Sequence, residues 1–302
     1  MSTSYHVAVI GLGAMGMGAA RSCLRAGLTT YGIDLSEQAR SQLQQAGAAA
    51  VMADARPLAE TLDAVLLLVV NAVQVRRILL GDEGLARHLK PSTAIIVSST
   101  TAAEEASALA AELAQLGLPM LDAPVSGGAI KADAGEMTVM AAGADAAFDK
   151  LAPVLDAVAG KLYRVGSEPG QGSTVKIIHQ LLAGVHIAVA AEAMALASKA
   201  GVSLDLMYDV VTHAAGNSWM FENRMPRVLT GDYQARSAVD IFVKDLTLVA
   251  DTAKALRFPL PLASTALNMF LSASNAGHGQ EDDSAVIKIF SGITLPGQED
   301  QA

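Results

Sequence analysis

Along the first half of the chain, short runs of consecutive apolar and β-branched residues alternate with longer stretches whose apolar positions recur every three or four residues. Residues 6–10, 29–33, 65–70, 94–98 and 119–122 read as strands, and 137–142 as a later one. Residues 15–26, 37–45, 103–116 and, with Pro153 as an interruption, 144–158 read as helices. Strands that are apolar at every position are covered on both faces, and strands separated by helices pair in parallel. The pattern predicts an α/β unit built on a doubly wound parallel sheet. After Tyr163 the strand signal fades, and residues 170–200, 205–213, 241–256 and 262–276 read as successive helices. The change in character near Gly166 divides the chain into an α/β domain over 1–166 and an all-α domain over 167–302. Residues 297–302 read as a frayed tail, and no internal repeat is visible.

Composition narrows the class. A chain of 302 residues is long enough for two domains, and 52% hydrophobic against 17% charged residues describes a well-packed protein that hides further surface in an oligomer. A net charge of -9 argues against nucleic acid or an anionic membrane as partner, since either calls for a basic face. Cys23 is the only cysteine, so neither an internal disulfide nor a cysteine-based zinc site is available, as expected in a reducing cytosol. The first apolar run leads into a glycine turn rather than a secretory leader, and no uninterrupted apolar run reaches the ~18 residues of a membrane span. These features read as a soluble, cytoplasmic protein.

Two places carry chemistry. Gly11-Leu12-Gly13-Ala14-Met15-Gly16 lies directly between the first strand and the first helix. The first glycine permits a tight turn, the second lets backbone approach a pyrophosphate, and the third lets helix pack on strand. The phosphates then meet a helix N-terminus. This context makes the sheet a Rossmann-type dinucleotide site, although the turn by itself serves FAD as well as NAD. Asp34 closes the second strand where an acidic residue holds the adenosine ribose, and none of Leu35, Ser36 and Glu37 is an arginine that would take a 2′-phosphate. The expected cofactor is NAD rather than NADP; the competing role for Asp34 is to cap the next helix. The second place is Lys176, which stands with Glu192 and Lys199 as the only charges across residues 170–200. A buried ammonium needs a partner or a lowered pKa, so it marks either a catalytic group or a structural ion pair.

Four motifs in order, Gly11 to Gly16, Asp122-Ala123-Pro124-Val125-Ser126-Gly127-Gly128, Gly170-Gln171-Gly172-Ser173-Thr174-Val175-Lys176, and Lys244-Asp245-Leu246, resemble the β-hydroxyacid dehydrogenases from about His6 to Ile289. The resemblance implies that Ser126, Gly127 and Gly128 hold the substrate carboxylate, which suits a hydroxyl and successive N–H groups in a glycine turn. It implies that Lys176 is the catalytic lysine, that Thr101 and Asn71 contact the cofactor, and that Lys244 lies against it. Val70 stands where the family has a proline before that asparagine. Where relatives carry asparagine three positions beyond the lysine, this chain has His179, followed by Gln180, and His186 continues the same helical face. With Asn217, Ser218 and Trp219 these residues suit a hydroxylated acid better than a methyl-branched one.

The branch most resembled oxidises the C2 hydroxyl of a four-carbon sugar acid, L-threonate, with NAD. Alternatives within the fold are oxidation of 3-hydroxyisobutyrate, reduction of tartronate or succinic semialdehyde, and imine reduction. A different class is a catalytically silent dinucleotide-binding scaffold, which would be expected to have lost the lysine. Lys176 either takes the hydroxyl proton or stays charged beside the alkoxide while His179 or a water accepts it. No histidine pair or carboxylate cluster points to a metal. The resemblance also implies a homodimer or homotetramer.

Overall fold

The computed structural model describes residues 4–296; the segment 297–302, expected to fray, lies outside them. The chain divides into two compact units, 1–176 and 177–302.

The first unit is α/β. In chain order it runs β1 (His6–Ile10), α1 (Ala14–Arg25), β2 (Thr29–Ile33), α2 (Glu37–Gln45), β3 (Ala50–Met52), β4 (Ala64–Leu67), α3 (Ala72–Leu80), β5 (Ala94–Val97), α4 (Ala103–Gln115), β6 (Met120–Asp122), β7 (Val125–Ser126), α5 (Gly128–Ala134), β8 (Met137–Ala142), α6 (Asp145–Val158) and β9 (Ala159–Gly166). The sheet order begins β3-β2-β1-β4-β5-β6, all parallel, which is the doubly wound arrangement with its switch point between β1 and β4. Along each central strand, neighbouring residues feed opposite faces. Val7 and Val9 enter a core with Leu66 and Ile96, whereas Ala8 and Ile10 enter another with Val65 and Val97. That is why these strands read as continuous apolar runs.

The sheet departs from the all-parallel expectation at its far side, where β8 runs antiparallel to both β6 and β7. A parallel return needs a crossover of roughly a dozen residues or more, and the segment 127–136 between β7 and β8 is shorter than that. β9, absent from the sequence reading, pairs in parallel with β8 at the edge of the sheet. Its exposed Lys161 and Arg164 suit an edge strand and erase the apolar signature.

The second unit is helical: the long α7 (Gln171–Lys199), which begins in the first unit, then α8 (Leu204–Thr212), α9 (Trp219–Thr230), α10 (Val239–Ala255) and α11 (Pro261–Ala273). Its core gathers Ile187, Ala191 and Met194 of α7 with Phe221, Phe242, Leu246 and Phe270. The Phe242 and Phe270 rings stack with centroids 5.2 Å apart. Pro226 hid α9 from the sequence reading, yet the helix continues through it. Two buried carboxylates just beyond α11 tie back to α9: Arg224 donates to both oxygens of Asp283, at 2.6 and 2.9 Å, and Arg227 pairs with Asp282. α7 is long and apolar enough, by length and composition, to cross a membrane, but half of its most apolar window is buried inside the protein, as in a core helix.

Candidate active site

The glycine turn after β1 follows from backbone geometry. Gly11 takes a φ of +90° and its N–H donates to the Ile33 carbonyl at 2.9 Å, which folds the loop back onto β2. A methyl group on Gly16 would overlap the Gly11 carbonyl oxygen, so only glycine lets α1 start this close to β1. Gly16→Ala is accordingly expected to abolish detectable NAD binding in calorimetry at concentrations that saturate the parent protein. Binding within a few-fold of the parent would show that the turn can relax.

Asp34 does not cap α2; Ser36 does, its Oγ accepting from the Ala39 N–H at 3.2 Å. The Asp34 carboxylate instead spans two loops, accepting from the Leu12 N–H at 2.6 Å and the Ser36 N–H at 2.7 Å. Arg40 donates to the Asp34 and Leu35 carbonyl oxygens at 2.7 and 2.9 Å. Gly11, Gly13, Asp34, Val70 and Arg76 line a cleft of about 1200 Å³. A glycine turn at a helix N-terminus, an acidic residue at its edge and a cleft of this size fit a dinucleotide.

At the C-terminal ends of β5 and β6 a second cluster forms within the same unit. Asp122, fully buried, accepts from the Gly170 and Ser173 N–H groups at 2.8 Å each and from the Ser173 hydroxyl at 2.7 Å. Burial raises its pKa, against the opposing pull of these hydrogen bonds. The carboxylate thereby satisfies donors of the first turn of α7. These bonds tie the first residues of α7 to the first compact unit. With its own proton directed to Asp122, the Ser173 hydroxyl accepts from Thr101 Oγ1 at 3.3 Å. Lys176 follows on α7 and is only 6% exposed.

Ser126 ends β7, and Gly127 and Gly128 follow with φ of +136° and +70°. A side chain on Gly127 would collide with Lys131, so the turn is specific to glycine there. Asn71 caps α3, its Oδ1 accepting from the Gln74 N–H at 2.9 Å. In this unit the structure therefore gathers Gly11 and Gly13 with Asp34 around one cleft, and Thr101 with the start of α7.

In the second unit, His179, Gln180, Lys244 and Asp245 are hydrogen-bonded together. Gln180 Nε2 donates to Asp245 Oδ2 at 2.5 Å, His179 Nδ1 lies 2.9 Å from Gln180 Oε1, and Lys244 Nζ donates to Asp245 Oδ1 at 2.6 Å. Asn217 and Ser218, named from sequence with Trp219 as pocket residues, make local hydrogen bonds. Ser218 caps α9 through the Phe221 N–H, Asn217 donates to Glu222, and the Trp219 side chain is half exposed. Sequence reasoning gave no role to Asp122, Ser173, Gln180 or Asp245. A signal existed for the first, an acid at the end of an apolar strand, and for the last, an acid beside a lysine on an amphipathic helix. Among the described residues, no three His, Cys, Asp or Glu side chains cluster as a metal site requires.

Residues 6–166 match the NAD-binding domain of 6-phosphogluconate dehydrogenase, and residues 170–290 match the NAD-binding domain of NADP-dependent 3-hydroxyisobutyrate dehydrogenase. The chain belongs to the β-hydroxyacid dehydrogenase family. It is 70% identical to an L-threonate dehydrogenase of Escherichia coli O6:H1, across 98% of each chain. To the L-threonate dehydrogenase of Cupriavidus necator it is 55% identical, across 98% of this chain and 99% of that one. Among solved structures, 3-hydroxyisobutyrate dehydrogenase from Salmonella typhimurium superposes with a TM-score of 0.92 at 68% identity, covering 95% of this chain and all of the other. The protein is an NAD-dependent hydroxyacid dehydrogenase, with a Rossmann-type domain followed by a helical one.

Proposed function

We propose that the protein oxidises L-threonate at C2 to 2-dehydro-L-erythronate. The observation that carries this reading is the near full-length 70% identity to an L-threonate dehydrogenase. A polar His179-Gln180 pair one helical turn beyond Lys176 supports it, because a hydroxyl-rich acid needs hydrogen-bonding partners that a methyl-branched acid does not.

NAD, when bound, supplies the hydride acceptor. Gly11, Leu12, Gly13, Ala14, Met15 and Gly16 would hold its pyrophosphate and Asp34 its adenosine ribose, while Asn71, Thr101 and Lys244 would orient its other end. A carboxylate at Asp34 repels a 2′-phosphate, which favours NAD over NADP. Ser126, Gly127 and Gly128 would bind the substrate carboxylate. The C2–H bond breaks with its electron pair leaving as hydride, and the hydroxyl proton passes to Lys176 or His179. An uncharged Lys176 would act as base, whereas a charged one would stabilise the alkoxide. The exposed Ile178, Leu182, Val189 and Leu196 on α7 support a homodimer or homotetramer. The negative net charge supports a life without nucleic-acid or anionic-membrane partners, and the single cysteine supports a reducing, cytoplasmic compartment.

The 3-hydroxyisobutyrate name of the Salmonella structure keeps a second reading open. The test is NAD reduction by the purified protein with a panel of C3 to C6 hydroxy acids. L-Threonate should give a kcat/KM at least tenfold above any other acid. Preference for 3-hydroxyisobutyrate would select the second reading, and no reaction with any acid would remove both.

A further inference from the structure

Four side chains of the second unit form one directed chain of hydrogen bonds, and its direction follows from chemistry alone. Lys244 Nζ, an ammonium that can only donate, lies 2.6 Å from Asp245 Oδ1. Asp245, 2% exposed and ion-paired, can only accept. The amide of Gln180, 7% exposed and 2.5 Å from Asp245 Oδ2, must therefore turn its NH2 end toward the carboxylate. That leaves its carbonyl oxygen facing His179 Nδ1 at 2.9 Å. A carbonyl accepts and cannot donate, so Nδ1 must carry the hydrogen.

We propose that the Lys244-Asp245-Gln180 chain fixes His179 in its Nδ1–H tautomer, with the lone pair on Nε2, and that Gln180 and Asp245 are positioning residues for this imidazole. A neutral imidazole in water has both tautomers open to it, whereas here one nitrogen is assigned by a buried carboxylate two bonds away. Nε2 can then accept from a donor hydroxyl, or take up a proton and return it, without disturbing the Nδ1–H bond. This rests on the reading that His179 meets the substrate. It deepens that reading by assigning Nε2 as the ring nitrogen that accepts from a substrate hydroxyl, a contact that a methyl group in its place cannot make.

The test reads the tautomer directly, in the cofactor-free full-length protein. Long-range proton–nitrogen correlation spectra of 15N-histidine-labelled protein, recorded above the titration of the imidazoles, distinguish Nδ1–H from Nε2–H. The His179 signals are assigned by their loss in His179→Asn. The parent protein should show His179 as Nδ1–H. Gln180→Leu, which keeps the volume and removes the carbonyl, should move it to Nε2–H or to a mixture. Asp245→Asn, which frees the amide of Gln180 to turn either way, should give a mixture. A parent His179 in the Nε2–H form overturns the proposal, as does an unchanged Nδ1–H signal in both variants. Should either variant fail to fold, the parent spectrum alone still decides. In kinetics, Gln180→Leu should lose at least tenfold of the preference in kcat/KM for L-threonate over 3-hydroxyisobutyrate. Because the spectra need no substrate, failure of the tautomer and failure of the L-threonate assignment are separate outcomes.

Discussion

Lys176→Ala should lower kcat by about a thousandfold or more while leaving NAD affinity within a few-fold of the parent, the scale on which removing one charge-stabilising or proton-accepting group acts. The argument is positional. Lys176 is 6% exposed on a helix whose first turn is held by Asp122, so its amine is delivered at a fixed place and shielded from water. A buried amine is costly to keep charged. Turnover and NAD titration measured on the same variant check the prediction. Near-parental turnover would take Lys176 out of the chemistry. Lys176→Arg separates the two roles, since a guanidinium stabilises an alkoxide but does not serve as a base at neutral pH.

Asp122→Ala is expected to destabilise the protein by about 3–5 kcal/mol, the cost of stranding buried donors that had been bonded to a carboxylate. Two backbone N–H groups and the Ser173 hydroxyl lose their acceptor together. Asp122→Asn keeps one carbonyl oxygen for the backbone donors and should lose only about 1–2 kcal/mol. Denaturant unfolding with an unchanged slope is the measurement, and equal stability of Asp122→Ala and the parent would sink the idea. A pH signature accompanies it. Because burial raises the pKa of Asp122, between the unfolded and the raised folded value the folded state holds a proton that the unfolded chain has released. Its contribution is complete below the unfolded carboxylate value and is lost as pH rises through the raised folded value. That falling component should vanish in Asp122→Ala.

Much of the first unit was legible because its elements are set by local pattern. β1 and β2 match their sequence limits since Val7 to Ile10 form an apolar run, Thr29, Thr30 and Tyr31 are strand-favouring residues, and turn residues follow each strand. β4 ends at Leu67, before the expected residue 70, because the apolar run continues into a loop: Leu68, Val69 and Val70 line the cleft rather than extend the strand. β9 was invisible because an edge strand with charged, exposed positions carries no apolar period. The fold class and the order of the motifs were therefore readable, while sheet direction at β8 depended on a connection length that pattern alone does not weigh.

The site divides in the same way. Gly11, Gly13, Gly16 and Asp34 could be proposed from sequence because a phosphate-binding turn needs particular residue types at short, fixed spacings. Lys176 stood out because a lone cation in an apolar helix is conspicuous wherever the helix packs. The carboxylate that holds the start of that helix is 51 positions from Ser173, and the acid that turns Gln180 is 65 positions from it. Nothing local links such pairs. Spacing and composition determined the two-part architecture, the dinucleotide turn and the lysine; the tertiary structure alone decided which acid is bonded to which donor. Hydrogen-bond direction depends on atoms brought together by folding, and a sequence orders atoms only along the chain.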